Sequence, residues 1–151
     1  MGIDSIALLF GNWLKVKRFE EYDGFVSGFK PGESGSAYEN LVGTLEISVY
    51  LPNGDPYVIA SISAIPLGLR RKMTKYVKGK PVLKDEFYYK VLTVRGQDWT
   101  KNMKLSHAVP VVISENADES MYFRSDKNPE DCVLDIDAIR KKTNLKSVLD
   151  Y

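Results

Sequence analysis

One cysteine, Cys132, and one histidine, His107, are all that these 151 residues contain of either type. An internal disulfide is excluded, as is any metal site or acid–base pair built on two histidines. A reducing, cytoplasmic compartment suits such a chain. Because a reactive thiol needs an electropositive setting, Cys132 is read as a small buried hydrophobe and His107 as a structural residue. Long apolar runs are also missing. The run Ile6-Ala7-Leu8-Leu9-Phe10 is far short of the roughly 20 residues that span a bilayer, and it lacks the basic leader of a signal peptide. No membrane partner is expected. Internal repeats and low-complexity linkers are absent, and so is a large net charge, which is only +1.

What is present is an ordinary globular composition, 44% hydrophobic and 27% charged, in a length that buries one core without staples. The charge is unevenly placed. Arg70, Arg71, Lys72, Lys75, Lys78, Lys80 and Lys84 follow one another with no acidic residue among them, while Asp118, Glu119, Glu130, Asp131, Asp135 and Asp137 gather later. Such segregation gives a nearly neutral protein a basic face. Arg70, Arg71, Lys72, Lys75, Lys78 and Lys80 are the residues of that face, a solvated surface or a contact for a nucleic-acid backbone.

Alternation predicts most of the remaining structure. Residues 13–18 and 24–29 read as strands, the second ending at Lys30-Pro31-Gly32. Residues 41–51 put Leu45, Ile47, Val49 and Leu51 on one face and Thr44, Glu46, Ser48 and Tyr50 on the other. They run into Pro52-Asn53-Gly54-Asp55, a tight-turn sequence, and return through residues 57–62. Residues 66–75 predict a short helix that starts at Pro66, with Leu69 and Met73 inward and Arg70, Arg71 and Lys72 on the exposed side. Residues 87–95 and 108–114 read as strands, residues 115–120 as an acidic loop, and Asp135 caps a final helix carrying Ile136 and Ile139. Asp135 and Asp137 are capping groups, not a metal site. Trp13, Trp99, Tyr88 and Tyr89 are assigned to core and rim packing. The expected class is all-β with short helices. Five strands with a helix between the third and fourth fit a Greek-key barrel of the oligonucleotide-binding (OB) type, with a lead-in over residues 1–12, the barrel over 13–134 and a helical tail over 135–151.

Two motifs carry a family resemblance. Tyr122-Phe123-Arg124-Ser125-Asp126-Lys127-Asn128-Pro129-Glu130-Asp131-Cys132 contains an R-x-D-K-x-P-E-D run that resembles motif VI of ATP-dependent DNA ligases, and Lys15-Val16-Lys17 resembles the K-x-K of their motif V. Between them Asp23-Gly24-Phe25-Val26-Ser27-Gly28-Phe29 is similar to the family's D-x-x-V-x-G-F segment. The resemblance spans residues 13–132 and favours the compact phage-like and bacterial enzymes. It implies the OB domain that closes over ATP and clasps nicked duplex DNA, with the adenylation (nucleotidyltransferase) domain of the same enzyme as its partner and the protein a monomer.

The implied chemistry moves AMP from ATP to a lysine, then to a 5′-phosphate, and finally displaces it with a 3′-hydroxyl, so every intermediate is anionic. By resemblance Lys15 and Lys17 contact the AMP phosphate. Arg124 and Lys127 orient the β- and γ-phosphates as pyrophosphate leaves, and Asp126 positions those cations. ATP and Mg²⁺ belong to the complete enzyme; this chain is expected to hold neither tightly, and no residue is assigned to a metal. The K-x-D-G adenylation motif is missing: Glu21-Tyr22-Asp23-Gly24 matches its last three positions but puts a carboxylate where the nucleophile belongs. The chain alone is thus expected to be inactive, a domain of a longer ligase or a separate carboxy-terminal piece. Two departures stand out: Leu105-Ser106-His107-Ala108 occupies the place of an L-R-x-P-like stretch, and residues 115–120 look inserted. The alternatives are a free-standing OB module that holds nucleic acid without chemistry, and the OB domain of an RNA ligase or capping enzyme.

Overall fold

The computed structural model describes residues 21–95, 109–111 and 118–135. In chain order the elements are β1 (Glu21–Pro31), β2 (Val42–Tyr50), β3 (Pro56–Ile62), α1 (Leu67–Met73), β4 (Thr74–Val77), β5 (Lys80–Leu83), β6 (Val91–Arg95), β7 (Val109–Pro110) and α2 (Glu119–Tyr122), with 3₁₀ turns at Asp85–Phe87 and Pro129–Asp131. The architecture is mostly β with short helices. The main sheet is antiparallel, in the order β3-β2-β1-β6-β7, and β4 with β5 forms a separate hairpin.

β1 is the strand on which this sheet is assembled. Its first half pairs with β6, Asp23 opposite Thr93, and its second half with β2, Phe25 opposite Ser48. Gly24 lies where the two pairings meet. A Cβ there would sit 2.5 Å from Ile47 Cγ2 and 3.0 Å from the Ser48 carbonyl, so only glycine lets β2 approach this closely. Below the sheet Phe25, Leu45, Ile47, Ile59, Met73 and Phe87 are among the fully buried side chains of one continuous core.

The predicted strands over residues 24–29, 41–51 and 57–62 are present as β1, β2 and β3, and the Asn53-Gly54 turn joins the last two with Gly54 at φ 92°. Several details differ. Among the described residues seven strands are present, five of them in the main sheet, and the edge strands β3 and β7 do not pair, so the sheet is open. Ser48, expected on the face opposite Ile47 and Val49, is buried as they are. Ile47, Ser48 and Val49 are three consecutive buried residues beside a bulge in which β3 carries the extra residue, Ile59, and the Ser48 hydroxyl shares a 2.6 Å hydrogen bond with Ser27 Oγ. The strand predicted from residue 87 starts at Val91, because a 3₁₀ turn occupies Asp85–Phe87 and Tyr89 takes φ 70°. The β4–β5 hairpin was not anticipated; Lys78 and Gly79, at φ 52° and 78°, make its turn in the manner of a type I′ connection. The strand predicted over 108–114 is represented by Val109–Pro110. The lead-in, the strand over 13–18, Trp99 and His107, and the tail beyond Asp135 lie outside the described residues.

The largest correction concerns α1. Arg70 was assigned to the basic face, yet its side chain is 1% exposed. Its Nη1 donates to the carbonyls of Val42 and Gly43, both at 2.6 Å, and its Nη2 to those of Ser63 and Ile65, at 2.8 and 3.4 Å. The guanidinium also stacks 3.8 Å above the Tyr38 ring. One planar fork thus satisfies carbonyls on β2 and on the segment leading into α1, which a lysine's single ammonium is not shaped to do. Removing it leaves buried acceptors without donors. Arg70→Ala is expected to lower unfolding free energy by on the order of 3–5 kcal/mol and Arg70→Lys by about half that, whereas Arg71→Ala, at an exposed neighbour, stays within about 0.5 kcal/mol. Urea unfolding followed by far-UV circular dichroism distinguishes these, and equal, small effects at both positions would refute the structural role of Arg70.

Candidate functional site

The R-x-D-K segment lies across the end of the sheet and is fixed at both ends by backbone hydrogen bonds. Arg124 N–H donates to the Val91 carbonyl at 2.7 Å, an isolated antiparallel bridge to β6. Nine residues on, Val133 makes a parallel bridge to Tyr50: Tyr50 N–H donates to the Cys132 carbonyl at 2.7 Å, and Leu134 N–H to the Tyr50 carbonyl at 2.9 Å. Between these anchors Asn128 and Asp131 close a capping box around the turn that begins at Pro129. The buried Tyr122 and Phe123 seat the approach to the segment, with Tyr122 Oη donating to the Ala64 carbonyl at 2.9 Å.

This arrangement brings Arg124, Asp126 and Lys127 onto Asp23 of β1. Arg124 holds Asp126 in a bidentate pair, Nε to Oδ1 at 3.0 Å and Nη2 to Oδ2 at 2.7 Å, and its Nη1 reaches Asp23 Oδ1 at 3.1 Å. Lys127 Nζ donates to the other Asp23 oxygen at 2.6 Å, and the Thr93 hydroxyl donates to Oδ1 at 2.6 Å. Two cations therefore face two carboxylates, and every nitrogen of the Arg124 guanidinium is engaged. Burial alone would raise the Asp23 carboxyl. Hydrogen bonds from Lys127 and Thr93, with the Arg124 and Lys127 charges, outweigh it and hold the group below its ordinary range. The hydrogen bonds to Asp126 and Asp23 correspondingly raise Arg124 and Lys127. Cys132, buried beside this cluster, is pushed up to about 11 by burial, which leaves it a thiol at neutral pH.

The remaining expected site residues are dispersed. Lys15 and Lys17 lie outside the described residues. Of the six basic candidates Arg70 is in the core, and the other five occupy α1 and the β4–β5 hairpin. Lys75 pairs with Asp85 at 3.4 Å and Lys72 with Glu119 at 2.9 Å, while Arg71, Lys78 and Lys80 are exposed and form no ion pair among the described residues. An open cavity of about 400 Å³ lies between α1 and α2, with Lys72, Lys90, Glu119 and Arg124 in its lining. The described residues contain no group of three or more His, Cys, Asp or Glu side chains able to hold a metal, and none of their helices is long and apolar enough to cross a membrane. An external anion could engage Arg124 and Lys127 only by displacing the carboxylates now bound there.

Sequence reasoning gave no role to Asp23, Thr93, Lys90 or Glu119. Asp23 was visible as the acidic residue of the D-x-x-V-x-G-F segment. Its partners stand about a hundred positions away, and only the pairing of β1 with β6 joins them.

A carboxyl with a depressed folded-state value contributes stability above its unfolded value, about 3.9, and loses it as pH falls through the folded value. Asp23→Asn is therefore expected to lower the unfolding free energy at pH 7 by about 1–2 kcal/mol, through loss of charged hydrogen bonds. The gap to wild type should narrow as the pH drops below about 4. Urea titrations at pH 7, 5, 4 and 3 measure it; a gap that stays constant over that range would mean the Asp23 charge is not what holds the segment.

No protein-family model matches the chain, and no curated protein matches it.

Proposed function

We propose that the chain is the OB-type domain of an ATP-dependent DNA ligase, which supplies a phosphate-orienting Arg–Lys pair and a basic DNA-facing surface to an adenylation domain. The observation that carries this reading is the convergence of Arg124, Asp126 and Lys127 in one R-x-D-K segment on the sheet. The strand connectivity supports it as well. β1, β2 and β3 follow one another across the sheet, α1 comes next, and β6 returns to lie beside β1, which is the 4-1-2-3 order of a Greek key. A barrel of OB type requires closure beyond this open sheet.

In this reading Arg124 and Lys127 present charged donors to the β- and γ-phosphates of ATP, and Asp126 fixes the guanidinium plane. The donors exchange carboxylate for phosphate as the domain closes. Binding of duplex is a separate task of α1 and the β4–β5 hairpin, where Arg71, Lys78 and Lys80 form no ion pair among the described residues.

Two outcomes are expected. The chain binds nicked duplex DNA with an affinity that falls steeply with salt, and the combined Arg71→Ala, Lys78→Ala and Lys80→Ala change flattens the log–log slope by up to about 2.7, at roughly 0.9 per phosphate contact. Fluorescence anisotropy over a salt series measures this, and an unchanged slope would move the DNA surface elsewhere. In an enzyme reconstituted with an adenylation domain, Arg124→Ala or Lys127→Ala slows self-adenylation by about 10²-fold, as expected for loss of a preorganised donor, while pre-adenylated enzyme still seals nicks. Labelled-ATP transfer and single-turnover sealing separate the steps. Normal self-adenylation in both variants would remove the motif VI assignment and leave a nucleic-acid-binding module.

A further inference from the structure

Glu119 occupies a position of unusual symmetry. Its Oε1 accepts from Lys72 Nζ at 2.9 Å and its Oε2 from Lys90 Nζ at 2.8 Å, so one carboxylate spans two ammonium groups from different parts of the chain. Lys72 comes from α1, on the basic surface, and Lys90 from the turn before β6. The three groups stand in the lining of the 400 Å³ cavity, with Phe123 and Arg124 beyond them. Asp118 is also there, but its carboxylate is turned to capping, accepting from Met121 N–H and the Ser120 hydroxyl.

We propose that Lys72 and Lys90 form a clamp for a backbone phosphate of duplex DNA, and that Glu119 is the displaceable carboxylate that fills the clamp when no DNA is bound. The inference rests on the DNA-binding reading above and adds its regulation. A phosphodiester has the same charge as a carboxylate and, like it, offers two oxygens to two donors. Exchange asks little of the fold: α2 is seated by Tyr122 and Phe123, so Glu119 leaves by rotation of its own side chain. The pair with Lys72, whose side chain is 61% accessible, is the weaker and yields first, while that with Lys90, at 31%, is the better covered. A duplex is favoured over an isolated anion because Arg71 shares α1 with Lys72 and the β4–β5 hairpin adds Lys78 and Lys80, none of the three in an ion pair among the described residues, so that further phosphates find further cations.

The test compares wild type, Glu119→Gln, Glu119→Ala and Glu119→Gln combined with Lys72→Ala and Lys90→Ala. Anisotropy of a labelled nicked duplex is read over a salt series, inorganic pyrophosphate binding by calorimetry, and folding by thermal melts. Removing the carboxylate is expected to tighten duplex binding about 3- to 10-fold at low salt and steepen the log–log slope by about 0.9, one added phosphate contact. The two lysine changes should abolish that gain. If wild type binds duplex with a steep salt dependence and neither Glu119 variant differs from it, the clamp is refuted while the DNA-binding reading stands. If no variant binds duplex at any salt, both fall together. A gain confined to pyrophosphate would overturn the backbone assignment, and loss of fold in both Glu119 variants would show the pairs to be structural, overturning the exchange.

Discussion

The Asp23 carboxylate is the point at which the cations of the R-x-D-K segment meet the central strand of the sheet. One oxygen accepts from Thr93 on β6 and from Arg124, the other from Lys127. A group from the central strand thereby orients two cations about a hundred residues further along the chain. Desolvation opposes the ionised form, and the hydrogen bonds from Lys127 and Thr93 with the charges of Arg124 and Lys127 overcome it. Were the cations absent, the carboxylate would be a poorly solvated charge beside Tyr22 and Gly24, so each side of the cluster needs the other.

Arg70 and Asp23 show two ways a charged side chain enters a small β domain. Arg70 is nearly inaccessible and meets neutral carbonyls, serving as a cross-brace among β2, α1 and the segment between them. Asp23 is partly accessible and meets charges that are themselves open to solvent. The first arrangement is rigid because no external ligand competes for the guanidinium. The second is open to exchange, since any anion that reaches the cluster from solvent meets the same donors that Asp23 and Asp126 hold.

Much of the local structure was legible in the sequence, because alternation and turn chemistry act over short distances. The β2–β3 hairpin follows from its alternating residues and Asn53-Gly54, and α1 from Pro66 with Leu69 and Met73. Arg70 was misread for a physical reason. In a seven-residue helix the inward face is only about two residues wide, and helical spacing from Leu69 and Met73 leaves Arg70 next to that face, where carbonyls on β2 decide its burial. Lys78-Gly79 carried a hairpin signal that the surrounding cations masked. Ser48 was beyond pattern reading altogether: Ile47 and Val49 on either side are buried as the alternation predicts, and Ser48 is buried with them because its hydroxyl finds Ser27 on β1. The cations of the R-x-D-K segment were visible as a motif, but their counter-anion Asp23 depends on strand order.

The two backbone bridges at Val91 and Tyr50 give the segment between Arg124 and Val133 a mechanical character. Its ends are fastened to β6 and to the end of β2, on opposite sides of β1, and its middle is stiffened by the Asn128–Asp131 capping box. A loop anchored this way has no free swing of its own. Its charged groups travel with the sheet as one body, so the distance from Arg124 and Lys127 to anything outside the domain changes by rotation of the whole domain, and only the last few ångströms are left to side-chain torsions.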